Sequence, residues 1–84
     1  MVDYSKLPEH CQKGMRLYVE DGVLPGGFLQ AVVSNKLVES FGLADSVNVR
    51  KLFSYADFLY NEAPLGCWGS EENMLSWIEK KRKK

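Results

Sequence analysis

The chain has 84 residues, of which 45% are apolar and 12% aromatic, and its eleven basic residues balance its eleven acidic ones. A chain of this length forms one domain with a thin core, because small domains bury only roughly 60–65% of their unfolded surface. No apolar run approaches the ~20 residues that span a bilayer, and the first six residues contain no apolar signal core. These features predict a cytoplasmic protein without a membrane segment.

The charges are unevenly distributed along the chain. Five of the eleven basic residues stand at its end: Lys80, Lys81, Arg82, Lys83 and Lys84. The preceding 79 residues contain six Lys or Arg against eleven Asp or Glu, a net charge of −5. A duplex-DNA binder instead places its basic residues on a folded face. We predict a single domain over 1–84, with 1–6 and 80–84 flexible.

Two helices are predicted in the first half of the chain. The first begins at Pro8 and ends at Gly22, and Gly14 within it indicates that another helix approaches closely. The second begins at Pro25 and ends at Gly42. Its wide apolar stripe predicts the most buried helix of the domain, through Phe28, Leu29, Val32, Val33, Leu37 and Phe41.

Two further helices are predicted in the second half. Asp45 is a strong N-cap candidate for a helix over 46–62, which is more apolar than one packing face requires. We therefore expect it either to cross the middle of the domain or to expose one flank. Its apolar positions are Val49, Leu52, Phe53, Tyr55, Ala56, Phe58, Leu59 and Tyr60. Ser70 caps the last helix, which continues into the basic end.

A short internal similarity favours two helix–loop–helix halves. Leu17-Tyr18-Val19-Glu20 and Leu59-Tyr60-Asn61-Glu62 each precede a connector that contains proline and glycine. The prediction is an all-α domain of four helices in which Glu20 and Glu62 lie near one another or at equivalent positions.

The segment between the third and fourth helices combines turn residues with a large aromatic side chain. Pro64 prevents the helix from continuing, and Gly66 and Gly69 permit positive φ on either side of Cys67-Trp68. A tryptophan in such a loop either fills one end of the core or binds a partner. The sequence leaves these two alternatives open.

Catalytic and metal-binding patterns are weak. His10 is the only histidine, and the adjacent Cys11 points to a different helix face, so the two cannot form a dyad. One histidine and two separated cysteines, Cys11 and Cys67, do not supply the four ligands of a zinc site. We predict no enzymatic activity, no metal and no cofactor. Two free thiols are expected, and a disulfide between them stays open.

The sequence also permits two other kinds of interaction. A helix–turn–helix reading would place Asn48, Arg50 and Lys51 on a recognition helix, with help from the basic residues Lys80, Lys81 and Arg82. Asp57 would then face phosphates, which disfavours this alternative of a small nucleic-acid-binding regulator. A homodimer could instead pair exposed aromatics of the third helix across a two-fold axis.

Several motifs together resemble a family of small phage- and prophage-encoded proteins. They are Leu-Pro-Glu-His near the start, Arg16-x-Tyr18-x-Glu20-x-Gly22-x-x-Pro25-Gly26-x-Phe28-Leu29, Phe41-Gly42-x-Ala44-Asp45, and Leu59-Tyr60-Asn61-Glu62-Ala63-Pro64-x-Gly66-Cys67-Trp68-Gly69-Ser70, followed by Trp77-Ile78. The resemblance covers 7–79, and the basic end departs from it. It implies a mobile-element accessory protein that acts in a bacterial cell by binding a host protein, such as a CRISPR defence complex.

A protein-binding surface is therefore expected around the Pro64–Ser70 loop, the exposed aromatics of the third helix and nearby acidic residues. The predicted binding residues are Trp68, Pro64, Leu65, Glu62, Tyr55, Phe58, Glu20 and Asp21. An acidic body suits a partner with a basic face, because complementary charge accelerates encounter.

Overall fold

The computed structural model describes residues 2–83 and shows an all-α fold in this part of the chain. The six helices are α1 Glu9–Asp21, α2 Gly27–Val33, α3 Leu37–Leu43, α4 Ser46–Arg50, α5 Leu52–Asn61 and α6 Glu71–Arg82. Met1 and Lys84, which belong to the predicted flexible ends, lie outside the described residues. Within 2–83, every helix falls short of the length and apolarity that crossing a bilayer requires.

The two middle helices of the predicted layout are each interrupted once. The first interruption is at Asn35, which has a φ of 63°. The Lys36 N–H donates to the carbonyl of Ala31 at 3.0 Å, and the Asn35 N–H donates to that of Val32 at 3.1 Å. This pattern is a Schellman motif with asparagine in the left-handed position, and it separates α2 from α3. Lys51 separates α4 from α5.

The capping residues at three helix ends are confirmed. The Asp45 carboxylate accepts from the backbone N–H groups of Val47 and Asn48, and the Ser70 hydroxyl accepts from that of Asn73. Gly22 adopts the left-handed conformation with φ 69° and closes α1. Each cap satisfies backbone groups that a helix end leaves without an intrahelical partner.

The first and last helices of the chain pack against each other, and α2 packs against both α3 and α6. The Trp77 indole donates to the Val19 carbonyl at 3.1 Å in the buried contact between α6 and α1. The expected close approach at Gly14 is confirmed, because a Cβ there would lie 3.3 Å from Leu29 of α2. The two predicted halves therefore share one core.

Residues 2–6, the described part of the start that the sequence predicts to be flexible, pack against α5. Tyr4 is buried, and its ring lies 5.5 Å from that of Phe58 between centroids. Lys6 forms ion pairs with Asp57 at 3.3 Å and Glu62 at 3.4 Å. An aromatic side chain and a charge pair thus fix this segment against α5. At the other end, α6 continues through Arg82.

Candidate functional site: an apolar groove beside α5

Helix α5 has apolar side chains on two faces. Tyr55, Phe58 and Leu59 are buried in the core. Phe53 and Tyr60 are 83% and 80% exposed, and they share one face with the exposed Ala56 because residues three and four apart are neighbours on a helix. We call Phe53, Ala56 and Tyr60 the outer stripe of α5. The predicted helix over 46–62 has more apolar residues than one packing face requires because one face of α5 packs in the core and another is exposed.

The outer stripe borders a surface depression of about 550 Å³. Trp68 and Leu59 complete its apolar lining, and Asn35, Asp57 and Asn61 also line it. A second, smaller depression of about 90 Å³ adjoins it and shares three lining residues: Asn35, Ala56 and Leu59. Together they form one groove between α5 and the α2–α3 corner, which we call the α5 groove. Mostly apolar concave surfaces of this size are typical of binding sites.

Helix α3 supplies the opposite wall of the smaller depression through Leu37. The prediction that Leu37 and Phe41 are buried is wrong, since they are 71% and 62% exposed. The Schellman turn at Asn35 redirects the chain, so the stripe that is buried in α2 does not continue into the core along α3. Val38 is also exposed, and α3 therefore presents an apolar outer face beside the groove.

The Pro64–Ser70 loop holds Trp68 at the groove. Cys67 is fully buried, and its carbonyl accepts a hydrogen bond from the Tyr18 hydroxyl. The Gly69 N–H donates to the Val33 carbonyl at 2.8 Å, which ties the loop to the end of α2. Trp68 is half-buried: it packs against the core and lines the groove. Trp68 therefore contributes to one end of the core and also exposes part of its ring at the groove; partner binding by Trp68 stays a prediction.

Other predicted loop residues differ in exposure. Leu65 is 92% exposed, whereas Pro64 is half-buried. Gly66 and Gly69 have φ values of 92° and 120°, which confirms the expected positive φ on both sides of Cys67-Trp68.

Two predicted partner-binding residues belong to the core instead. Phe58 is 0% exposed and Tyr55 is 1% exposed, so neither is available to a partner in this structure. The Tyr55 hydroxyl donates to Asn48 Oδ1 at 2.8 Å, and its ring meets Phe28 edge-on at 5.2 Å. Their burial follows from the position of α5, which turns this face inward.

Two of the three acidic residues predicted for the surface have partners on the N-terminal segment. Glu20 accepts a hydrogen bond from the Tyr4 hydroxyl at 3.1 Å, and Glu62 pairs with Lys6. The segment therefore bridges the ends of α1 and α5, and it brings Glu20 and Glu62 to its two sides. Asp21, the last residue of α1, is exposed.

The helix–turn–helix reading is wrong about Asn48. The Asn48 side chain is buried. Its Oδ1 accepts a hydrogen bond from the Tyr55 hydroxyl, and its amide nitrogen lies 3.5 Å from Cys11 Sγ. Arg50 and Lys51 follow it and are exposed. Asn48 therefore connects α4 to α1 and α5, and it cannot reach a base edge.

The two groups of basic residues, Arg50 with Lys51 and Lys80 to Arg82, lie near opposite ends of α1. Near the start of α1, His10 Nε2 lies 3.0 Å from Asp45 Oδ2, at the start of α4. At the far end of α1, a Cβ on Gly22 would lie 2.6 Å from Lys81 Cβ. These ends are roughly 18 Å apart at the helical rise per residue. Lys80, Lys81 and Arg82 therefore do not join Arg50 and Lys51 in one basic patch.

Both cysteines are free thiols. Burial raises the pKa of the Cys67 thiol to about 11, so it is protonated at neutral pH. His10 bonds Asp45 near the start of α1, whereas Cys67 is held by Tyr18 near its end. The His10 ring and the Cys67 thiol therefore lie near opposite ends of α1. Among residues 2–83, no three His, Cys, Asp or Glu side chains gather as metal ligands would.

The sequence reasoning missed Phe53, Tyr60, Asn35 and Leu37 as surface residues of the groove. Phe53, Ala56 and Tyr60 repeat at three and four spacing, as do the buried positions of the same helix. Periodicity identifies two apolar faces but not which one meets the core. The presence of a second apolar face on the same helix was the one signal in the sequence for an exposed apolar surface.

No family model matches the chain, and no curated protein or solved structure is significantly similar to it. The structure itself shows a small all-α protein with a mostly apolar surface groove. The resemblance to phage- and prophage-encoded proteins stays a prediction.

Proposed function

We propose that this chain is a phage- or mobile-element-encoded accessory protein that binds and modulates a host protein, without catalysis of its own. The observation that carries the proposal is the α5 groove, where Phe53 and Tyr60 are almost fully exposed beside Trp68. Exposed aromatic residues around a concave apolar surface are typical of protein-binding sites, since they bury much area at little cost in side-chain entropy. The resemblance to phage proteins suggests that the bound protein is a host defence complex of the CRISPR type.

The surroundings of the groove suit a protein partner better than a nucleic acid. Its lining is mostly apolar and includes the carboxylate of Asp57, and the net charge of −5 over 1–79 repels phosphates. The same charge favours a partner with a basic face, such as a protein that itself handles nucleic acid.

The test is affinity capture from lysates of bacteria that carry an active CRISPR system. Wild-type protein is compared with Tyr60→Ser, which removes an exposed aromatic ring of the groove, and with Leu75→Ser, a matched change on the exposed surface of α6. We expect a defence protein to be retained by the wild type and by Leu75→Ser but lost with Tyr60→Ser. The captured protein is then purified, and its affinity for all three chains is measured.

Thermal melts of the three chains accompany the capture. Because Tyr60 is exposed, Tyr60→Ser should melt within a few degrees of the wild type. Retention of the same proteins by all three chains would contradict a binding role for the groove.

A further inference from the structure

The last turn of α6 and the residue after it carry a dense cluster of positive charge. Four consecutive residues are basic: Lys80, Lys81, Arg82 and Lys83. Consecutive residues of a helix are turned about 100° from one another and rise by roughly 1.5 Å, so these side chains surround the end of α6 within a short length. We call Lys80–Lys83 the basic turn of α6.

Few carboxylates compensate this charge. Within 2–83, Lys83 is the one member of the basic turn with a carboxylate at ion-pair distance, that of Glu79 at 3.1 Å. Asp21, at the neighbouring end of α1, is exposed and pairs with none of the four. The helix dipole adds only about −0.5 of an elementary charge at a helix C-terminus. The basic turn therefore keeps a net positive charge.

The basic turn is held against the end of α1. A Cβ on Gly22 would lie 2.6 Å from Lys81 Cβ, and one turn earlier the Trp77 indole donates to the Val19 carbonyl. The ammonium groups of Lys80 and Lys81 lie 5.5 Å and 4.9 Å from the centroid of the Trp77 ring. A ring face attracts a cation but leaves the N–H donors of an ammonium group available to another acceptor.

We propose that the basic turn of α6 binds the phosphate backbone of a nucleic acid, without reading its sequence. Duplex DNA carries one negative charge per roughly 1.7 Å of its axis, a density that matches the spacing of cations along the basic turn. An anionic membrane is a poorer ligand. Leu75 is the one exposed apolar residue of α6, and a single side chain does not form an apolar face that inserts into a bilayer.

The basic turn and the α5 groove are separate surfaces, because none of the residues that line the groove belongs to α6. The nucleic-acid contact therefore does not rest on the proposed host protein. The net charge of −5 over 1–79 repels phosphates from the rest of the molecule and confines the contact to this end. We expect weak binding that depends steeply on salt.

The test is fluorescence anisotropy of a short labelled DNA duplex, titrated with the purified protein at increasing salt concentration. Lys80, Lys81 and Arg82, the three members without a carboxylate partner within 2–83, should neutralise about three phosphates. The logarithm of the affinity plotted against the logarithm of the salt concentration should therefore have a slope of about −3. A wild type that does not bind the duplex even at low salt overturns the proposal.

Two matched double variants locate the binding surface. Lys80→Gln with Arg82→Gln removes two exposed positive charges from the basic turn, and Arg50→Gln with Lys51→Gln removes two from the start of α5. The first double should reduce the magnitude of the slope by about 2 and raise the Kd at least about tenfold at low salt. The second should leave the slope unchanged. Equal effects of the two doubles would mean that net charge alone governs binding, and would overturn the proposal.

Circular dichroism and thermal melts check that both doubles fold. The single variant Arg82→Gln keeps both lysines at the Trp77 ring, and it should by itself reduce the magnitude of the slope by about 1. An unchanged slope in this variant contradicts the proposal whether or not the double at the basic turn is stable.

Competitors separate a nucleic acid from other polyanions. Polyglutamate that displaces the duplex as well as unlabelled DNA does, at equal charge concentration, would assign the surface to acidic proteins. Co-sedimentation with vesicles of anionic lipid at the same salt concentration would assign it to membranes, and either result overturns the proposal. The proposed host function fails separately. Tyr60→Ser should lose the host protein and still bind the duplex, whereas Lys80→Gln with Arg82→Gln should do the reverse.

Discussion

Cys11 and Cys67 differ in their access to solvent, and this difference sets their reactivity. The reactive form of cysteine is the thiolate, which is disfavoured when burial raises the pKa. Cys67 is fully buried and has its pKa raised to about 11, whereas Cys11 is only half-buried. An aromatic disulfide reagent should therefore react with one thiol per native chain, and with the second only as the chain unfolds.

The Cys11→Ser variant separates the two thiols. It should show no fast reaction at neutral pH and one thiol per chain in denaturant, followed by absorbance of the released reagent. Fast modification of Cys67 in this variant would mean that the Pro64–Ser70 loop opens in the native protein. In that case Trp68 would not be held at the groove.

At the level of single residues, the sequence predicted one part of the site and could not predict another. Trp68 was identified because proline and glycine around it define a loop. Phe53 and Phe58 could not be separated, since they are the same residue type on one helix and differ only in which face meets the core. That choice is made by long-range contacts, such as the Tyr4 ring against Phe58, which no local pattern encodes.

At the scale of elements, Asn35 decides where α2 ends and where the wall of the groove begins. A left-handed backbone costs an ordinary residue roughly 1–2 kcal/mol, while glycine adopts it freely and asparagine tolerates it. Asn35→Ala should lower the free energy of unfolding by about 1 kcal/mol, and Asn35→Gly should leave it within about 0.5 kcal/mol of the wild type. Urea unfolding followed by circular dichroism measures both.

The two substitutions are matched controls for each other, because both remove the amide side chain. Equal losses would mean that the side chain, rather than the backbone conformation, stabilises the turn. Asn35→Ala being as stable as the wild type would contradict the break between α2 and α3.

The helix ends were predictable where a cap is local and missed where the signal is weak. Asp45, Ser70 and Gly22 act through their own side chain or backbone conformation, and their roles could be inferred from neighbouring residues. Asn35 is a less distinctive stop than glycine, and the apolar spacing continues past it. Lys51 carries no stop signal. The all-α class therefore followed from the sequence, whereas the six-helix layout did not.

At the scale of the whole molecule, contacts between distant parts of the chain make the two helix–loop–helix halves interdependent. The Trp77 indole of α6 donates to the Val19 carbonyl of α1, 58 positions away in sequence. The Tyr18 hydroxyl donates to the Cys67 carbonyl, 49 positions away. Neither half can satisfy these buried groups alone. Unfolding should therefore be one cooperative transition, with fluorescence and circular dichroism giving the same midpoint.

Trp77→Phe tests this interdependence at its central contact. The change keeps an aromatic ring but removes the indole donor, which leaves the Val19 carbonyl without this bond and should lower the free energy of unfolding by about 1–3 kcal/mol. Trp68, which lines the groove, then remains as the only tryptophan. The fluorescence transition of Trp68 should shift together with the transition measured by circular dichroism, because loss of the α1–α6 contact destabilises the groove as well.

Trp68→Phe, at a half-buried position, is the matched control and should lower the free energy of unfolding by less. Two separate midpoints in Trp77→Phe would show that the halves unfold independently.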